Sequence, residues 1–370
     1  MISVNTPLLD GKEKEYLIKA IDEGWISSEG PAVREFEARF ASRVKRKHGI
    51  AVCNGSVALD LAVYALGLIS GDEVILPAFT IISPAAAIVR CGAKPVLVDS
   101  SSDNWNIDVK RVEEKINSKT KAILIVHIYS LPVDMNPLLE LAKKYKLKII
   151  EDAAEMHGQE YYGEPCGSFG DISTFSFYPN KHLTTGEGGM IVCNDDELAE
   201  RCRMLRNLAF VPEKRFVHYE LGWNYRFTNL QAMLGLAQLE RLDEFVKIKR
   251  AMGKLYNQLF DDLRHKIELP PDDKEYAENI YWVYGIILSE VVPFNALEVM
   301  TKLAAEGIGS RPFFYPMHKQ PVFNKMGWYL NETYPVSERM AERGFYLPSG
   351  LALTGDEMKV VSEKLHKILA

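Results

Sequence analysis

Seven short apolar runs, at residues 50–53, 73–76, 95–98, 122–126, 148–151, 173–177 and 189–192, leave few folds open to this chain. Continuous β-branched runs of this length predict strands buried on both faces. Most are separated by stretches with apolar residues three or four apart, such as Leu59, Ala62, Val63 and Leu66, which predict amphipathic crossover helices. The alternation predicts an α/β domain with a largely parallel central sheet, whose ligands gather at the carboxyl ends of its strands.

Beyond about residue 230 the pattern changes to a long helical stretch, 231–260, then a polar, proline-containing break at 269–273. A strand is expected at 282–288, a helix from about Pro293, a Gly- and Pro-bounded segment at 307–321 and a closing helix at 355–369. We therefore expect a large domain at 1–235, including the N-terminal segment, and a smaller α+β domain at 236–370. A chain of 370 residues accommodates both.

A formal net charge of −6 argues against a broad nucleic-acid footprint, and the densest basic run, Arg43 to Lys47, reads as a solvated helix end. No apolar run approaches the roughly 20 residues of a membrane-spanning helix, and the first residues lack a basic, then apolar, targeting pattern. The expectation is a cytoplasmic protein. Five scattered cysteines without C-x-x-C spacing suit reduced thiols, and the eight histidines contain no H-x-x-x-H pair, so no metal site is expected.

Three segments carry chemistry. Asn54-Gly55-Ser56 follows a strand and opens a helix, where free amides and the helix dipole suit an anion, although Ser is also a common N-cap. In Glu151-Asp152-Ala153-Ala154-Glu155-Met156-His157 a strand ends in an acid at the ligand edge, where it can pair with a protonated ring nitrogen or simply start a loop. His157 can bond a ligand or serve as a core histidine. The most specific segment runs from Ser176 to Gly189: a strand ending in a hydroxyl, a Pro-bounded turn, Lys181, and a Gly-rich return. A lysine among apolar or cationic neighbours loses its proton more readily and suits Schiff-base chemistry, whereas a lone turn lysine is inert.

Taken in order, these segments resemble the DegT-like nucleotide-sugar aminotransferases, a family of fold-type I pyridoxal-phosphate enzymes. The resemblance extends through Gly24-Trp25-Ile26-Ser27-Ser28, Asn224-Tyr225-Arg226-Phe227-Thr228-Asn229 and Arg311-Pro312-Phe313-Phe314-Tyr315-Pro316-Met317-His318. It implies that Lys181 is the Schiff-base lysine and proton carrier, and that Asp152 keeps the pyridine nitrogen of pyridoxal 5′-phosphate protonated. It implies that Gly55, Ser56 and Ser176 bind the phosphate, that Glu155 lies near the ring hydroxyl, and that Asn224 reaches the phosphate of a second subunit in a homodimer. His157 matches a nearby family histidine, and Tyr315 and His318 fall in the segment lining the sugar pocket. Arg226 and Arg311 can each hold the nucleotide diphosphate or sit in a structural ion pair. Two departures stand out: Ile81 occupies a position where the family often stacks an aromatic ring on the cofactor, and His182 follows the lysine directly. Counting from Ser176 and from Gly186 both put Lys181 at the Schiff-base position.

The implied reaction is ping-pong transfer of an amino group from L-glutamate to a keto sugar. The segments at 24–28, 127–129, 224–229 and 311–316 look most like family members that aminate carbon 4 of GDP-4-keto-6-deoxymannose. A dTDP- or UDP-linked 4-keto-6-deoxy sugar is the rival substrate. A cofactor-dependent sugar 3-dehydratase and a non-catalytic binding protein of the same fold are the alternative functions.

Overall fold

The computed structural model describes residues 1–211, 214 and 216–370. All seven apolar runs become strands of one sheet: β1 (His48–Val52), β2 (Glu73–Pro77), β3 (Lys94–Val98), β4 (Thr120–Val126), β5 (Lys148–Asp152), β6 (Ile172–Ser176) and β7 (Gly189–Cys193). Their spatial order is β1-β7-β6-β5-β4-β2-β3, and only β7 runs antiparallel to its neighbours. β4 shows why the apolar runs are continuous. Alternation sends Ala122, Leu124 and Val126 into one core, with the helix Gly55–Ala65. Ile123 and Ile125 enter another, with Leu138 and Ala142 of the helix Met135–Tyr145.

A second, antiparallel sheet contains β8 (Ile267–Glu268), β9 (Tyr284–Leu288), β10 (Arg311–Pro312) and β11 (Gly344–Leu347), in the order β8-β9-β11-β10. Its core joins Ile286 and Leu347 of the sheet to Tyr256, Val299 and Leu365 of the helices Leu242–Leu259, Ala296–Ala305 and Gly355–Leu369. The closing helix spans the expected residues because Thr354 and Glu357 form a capping box at its start.

Three expectations are corrected. The stretch 231–260 is not one helix but two, Asn229–Leu239 and Leu242–Leu259. The first residues, grouped by sequence with the large domain, pair instead with the second unit: Ile2 bridges Ile308, and the Val4 carbonyl accepts from Ser349 N. The run Arg43–Lys47 is not simply a solvated end, because Arg46 is buried and donates to the carbonyls of Gly167 at 2.9 Å and Gly170 at 2.5 Å. Among the described residues no helix is long and apolar enough to cross a membrane.

Candidate active site

β1, β5 and β6 run in one direction, so their carboxyl ends share an edge of the sheet with the start of the reversed strand β7. That edge opens into a cavity of about 820 Å³ lined by residues from both units, including Gly55, Asp152, Lys181 and Trp282. Close approach demands glycine at two positions. A Cβ on Gly55 would lie 2.6 Å from Ser176 Cβ, and one on Gly189 would lie 2.5 Å from the Asn54 carbonyl oxygen. The helix Gly55–Ala65 can therefore start against the ends of β6 and β7. Its Asn54 cap accepts from Val57 N at 3.0 Å. The preceding amides, at Gly55 and Ser56, have no acceptor within the helix and lie at its positive end. Ser56 Oγ and Ser83 Oγ, at the starts of two helices, meet at 2.9 Å on the same wall.

Asp152 ends β5 almost fully buried, and the one hydrogen bond to its carboxylate among the described residues comes from Ala154 N at 3.1 Å. Burial pushes its pKa up to about 6, against the pull of that amide and of Lys181. Glu155, also buried, accepts from Tyr129 N at 2.6 Å, and burial pushes its pKa up to about 8. The Lys181 ammonium lies 3.8 Å from the centroid of the Trp282 ring. Burial lowers its pKa, with Glu155 and Asp152 opposing. A lysine with a weakened hold on its proton thus shares a cavity with two carboxyl groups that hold theirs more tightly.

Pyridoxal 5′-phosphate fits these walls. Thr174 Oγ1 is buried at the cavity without a hydrogen-bond partner among the described residues, Gly55 leaves no room for a side chain beside Ser176, and the Asp152 carboxylate has acceptor capacity to spare. The free amides suit the phosphate and Asp152 suits a protonated ring nitrogen. Ile81 lines the cavity, so an aliphatic side chain stands where an aromatic one was the family expectation.

The cavity collects Gly55, Ser56, Asp152, Glu155, Ser176, Lys181 and Arg311 from the residues singled out by sequence. The other five lie outside it, Asn224 having been expected at the site of a second subunit rather than at this one. His157 is buried against Phe175 and Phe177, and neither ring nitrogen makes a hydrogen bond among the described residues. Burial pulls its pKa down to about 3, so it is a neutral core ring beneath the cavity. His318 is buried on a different wall, with Nε2 2.9 Å from Glu338 and its ring against Tyr334. Tyr315 is 54% exposed outside the cavity. Arg226 donates to Asn207 Oδ1 at 2.7 Å and lines a separate cavity of about 930 Å³. Asn224 is exposed beside Asn207. His182 is buried next to the lysine, 3.3 Å from the Ile280 carbonyl oxygen, and does not line the cavity.

Sequence reading missed Trp282, which it assigned to a strand; its indole N–H donates at 2.8 Å to the Asn180 carbonyl, 102 residues away. It also missed Thr174 and the Asp60–Arg90 pair, 2.8 Å apart on the cavity wall. A tryptophan in an apolar run carries no local signal separating a site residue from a core one. Thr174 at the end of β6, two residues before Ser176, was the one legible clue.

The sequence model describing the DegT/DnrJ/EryC1/StrS aminotransferase family matches residues 7–366. The chain is 41% identical to a GDP-perosamine synthase of Vibrio cholerae, over 98% of this chain and 97% of that protein. It is also 41% identical to a GDP-perosamine synthase of Caulobacter vibrioides, over 100% and 98% of the two chains. The solved structure of Helicobacter pylori PseC, an aminotransferase involved in pseudoaminic acid biosynthesis, superposes with a TM-score of 0.94 over 100% of this chain and 99% of its own, at 22% identity, which shows the fold. A match from end to end at this level settles the kinship: the chain belongs to the DegT/DnrJ/EryC1/StrS family of pyridoxal-phosphate-dependent aminotransferases.

Proposed function

We propose that this aminotransferase moves the amino group of L-glutamate to carbon 4 of GDP-4-keto-6-deoxymannose, giving GDP-perosamine. The substrate assignment is carried by the 41% identity, over nearly whole chains, to two proteins named for that product. The chemistry is supported by the grouping of Lys181, Asp152 and Glu155 in one cavity.

When bound, pyridoxal 5′-phosphate supplies an electron sink for the carbanion formed at the carbon that loses or gains nitrogen. The chain's own residues supply the rest. Lys181 is the nucleophilic amine and the group that carries the proton, with Nζ held over Trp282. Asp152 holds a proton on the pyridine nitrogen; a cation beside it returns its carboxyl to the ionised form that burial alone opposes. Glu155, with a pKa raised to about 8, keeps its own proton near neutrality and can donate it in a hydrogen bond to a ring oxygen. Gly55, Ser56 and Ser176 hold the phosphate. Arg311, on the cavity wall from the second unit, meets the anionic nucleotide. Residues 1–235 thus carry the cofactor, and 236–370 close the site over the sugar.

Asn224, which lies outside this cavity, acts in the site of a second copy, so the working unit is a homodimer. Exposed Tyr219 and Leu221, just before Asn224, support a contact there. The free cysteines suit the reducing cytoplasm, where we place the protein.

The test is incubation of purified protein with pyridoxal phosphate, L-glutamate and, separately, GDP-, dTDP- and UDP-linked 4-keto-6-deoxy sugars, with products read by mass spectrometry. The proposal expects a product in which nitrogen replaces the keto oxygen, formed fastest from the GDP sugar. A faster reaction with a dTDP or UDP sugar contradicts the substrate. Loss of the hydroxyl at carbon 3 without nitrogen uptake contradicts the reaction.

A further inference from the structure

Trp282 is gripped at four points, more than packing an indole requires. Its backbone N–H donates to the Tyr129 carbonyl at 3.0 Å, and its ring stacks on that of Tyr129 with centroids 5.8 Å apart and planes at 27°. Its indole N–H reaches the Asn180 carbonyl, in the residue before Lys181, at 2.8 Å. Its own carbonyl accepts from Lys249 Nζ at 2.9 Å. The ring is left facing the Lys181 ammonium.

Lys249 is itself unusual. It is 3% exposed, on the helix Leu242–Leu259, and its ammonium meets two carbonyls, those of Trp282 and Ser349, and no carboxylate among the described residues. A buried ammonium is costly, and removing it would leave both carbonyls unpaired. Burial brings its pKa down to about 7. It ties the main chain at Trp282 to the segment that leads into the closing helix.

We propose that Trp282 is a positioning residue that holds the Lys181 amine ready to react whenever it is not covalently engaged, and that Lys249 fixes Trp282 in that pose. A ping-pong cycle frees the lysine amine during half of each turnover. A flexible four-carbon chain would then wander, or pair with Asp152 or Glu155 and block the seats those groups keep for the cofactor. The aromatic face attracts the ammonium without such a pairing, and the indole N–H anchors the turn that carries it. The inference rests on reading Lys181 as the reacting amine.

The test uses the full-length apo-protein and its W282L, W282F and K249M variants. Equilibrium binding of pyridoxamine 5′-phosphate, which forms no bond to Lys181, reports the rest of the site. The rate at which visible absorbance grows after mixing with pyridoxal 5′-phosphate reports capture by the lysine. We expect pyridoxamine phosphate affinity to stay within about 3-fold of wild type throughout. Capture should slow by about 10-fold in W282L, and by roughly 3-fold in W282F, which keeps an aromatic face but loses the grip on Asn180. K249M should fall between these. Wild-type capture in W282L overturns the proposal. Should W282L not fold, wild-type rates in both W282F and K249M overturn it instead. A wild-type protein that captures no pyridoxal phosphate contradicts the Lys181 reading itself, a result distinct from wild-type capture matched by the variants.

Discussion

Glu151 and Asp152 are adjacent on β5 and both buried, yet they face different regions of the molecule with opposite consequences. Glu151 accepts five hydrogen bonds, from His127 Nε2, the amides of Gly167, Phe169 and Gly170, and Ser173 Oγ. Because His127 Nδ1 already accepts from Val133 N, its Nε2 carries the proton it donates to Glu151. Burial alone would raise the Glu151 pKa, but these donors hold it down at about 2. Asp152, with one donor, is left at about 6. A buried carboxylate with every lone pair answered locks the sheet to the loop 167–170. One left short of donors is poised for a partner that the chain itself does not provide. Satisfaction of the buried group, rather than its burial or charge, separates structure from chemistry here.

The comparison is broken most forcefully at its functional end. Lys181→Ala should reduce turnover by at least ~1,000-fold while leaving the thermal melt of the apo-protein in place. Activity near wild type would remove the lysine from the chemistry. Next, Asp152→Asn should cost roughly 100- to 10,000-fold in turnover with no loss of apo-protein stability, since it replaces a carboxylate that burial disfavours. A large loss of stability would place Asp152 with Glu151 as a structural acid. Conversely, Glu151→Gln should destabilise the fold by about 2–4 kcal/mol in urea unfolding, because buried donors lose their anion. The surviving folded fraction should turn over within about 3-fold of wild type.

Acid and base should also separate the two groups, with opposite signs. The Glu151 pKa is depressed on folding, so its contribution is present above pH 4.5 and is lost as pH falls through about 2. The Asp152 pKa is raised, so stability is greatest below pH 3.8 and declines as pH rises through about 6. Urea unfolding of the apo-protein across this window, beside Asp152→Asn, should show the variant gaining on wild type between these values and keeping a constant advantage above. A difference independent of pH contradicts the sign. The smallest effects belong at the rim. Arg311→Ala should raise KM for the nucleotide sugar by about 10-fold with kcat little changed. His318→Gln, buried away from the cavity, should change either constant by less than about 2-fold.

Much of this was legible in the sequence because the signals were local. The seven strands announced themselves as apolar runs, and the closing helix was expected at 355–369, where the structure has it. Lys181, Asp152 and Gly55 stand at ends of strands that a parallel sheet must bring to one edge. What was not legible depends on contacts distant in sequence. Whether Glu151 or Asp152 is the spent acid turns on donors at 167–173, and the place of Trp282 turns on a carbonyl at Asn180. Arg46 sits in a basic run yet serves two carbonyls of the same loop that binds Glu151. His157 and His318 were singled out by their match to family segments, but aromatic packing and a hydrogen bond with Glu338 account for them.

The central claim is that Lys181 is a live amine whose cofactor exchanges nitrogen with an amino acid. The most direct measurement is the visible absorption spectrum of the purified protein, supplied with pyridoxal 5′-phosphate and titrated with L-glutamate, beside Lys181→Ala. The account predicts a visible band in the wild type that declines with added glutamate as the amino form of the cofactor appears, and no such covalently bound band in the variant. A wild-type band that glutamate leaves unchanged contradicts the donor, and the absence of a band contradicts the assignment of Lys181.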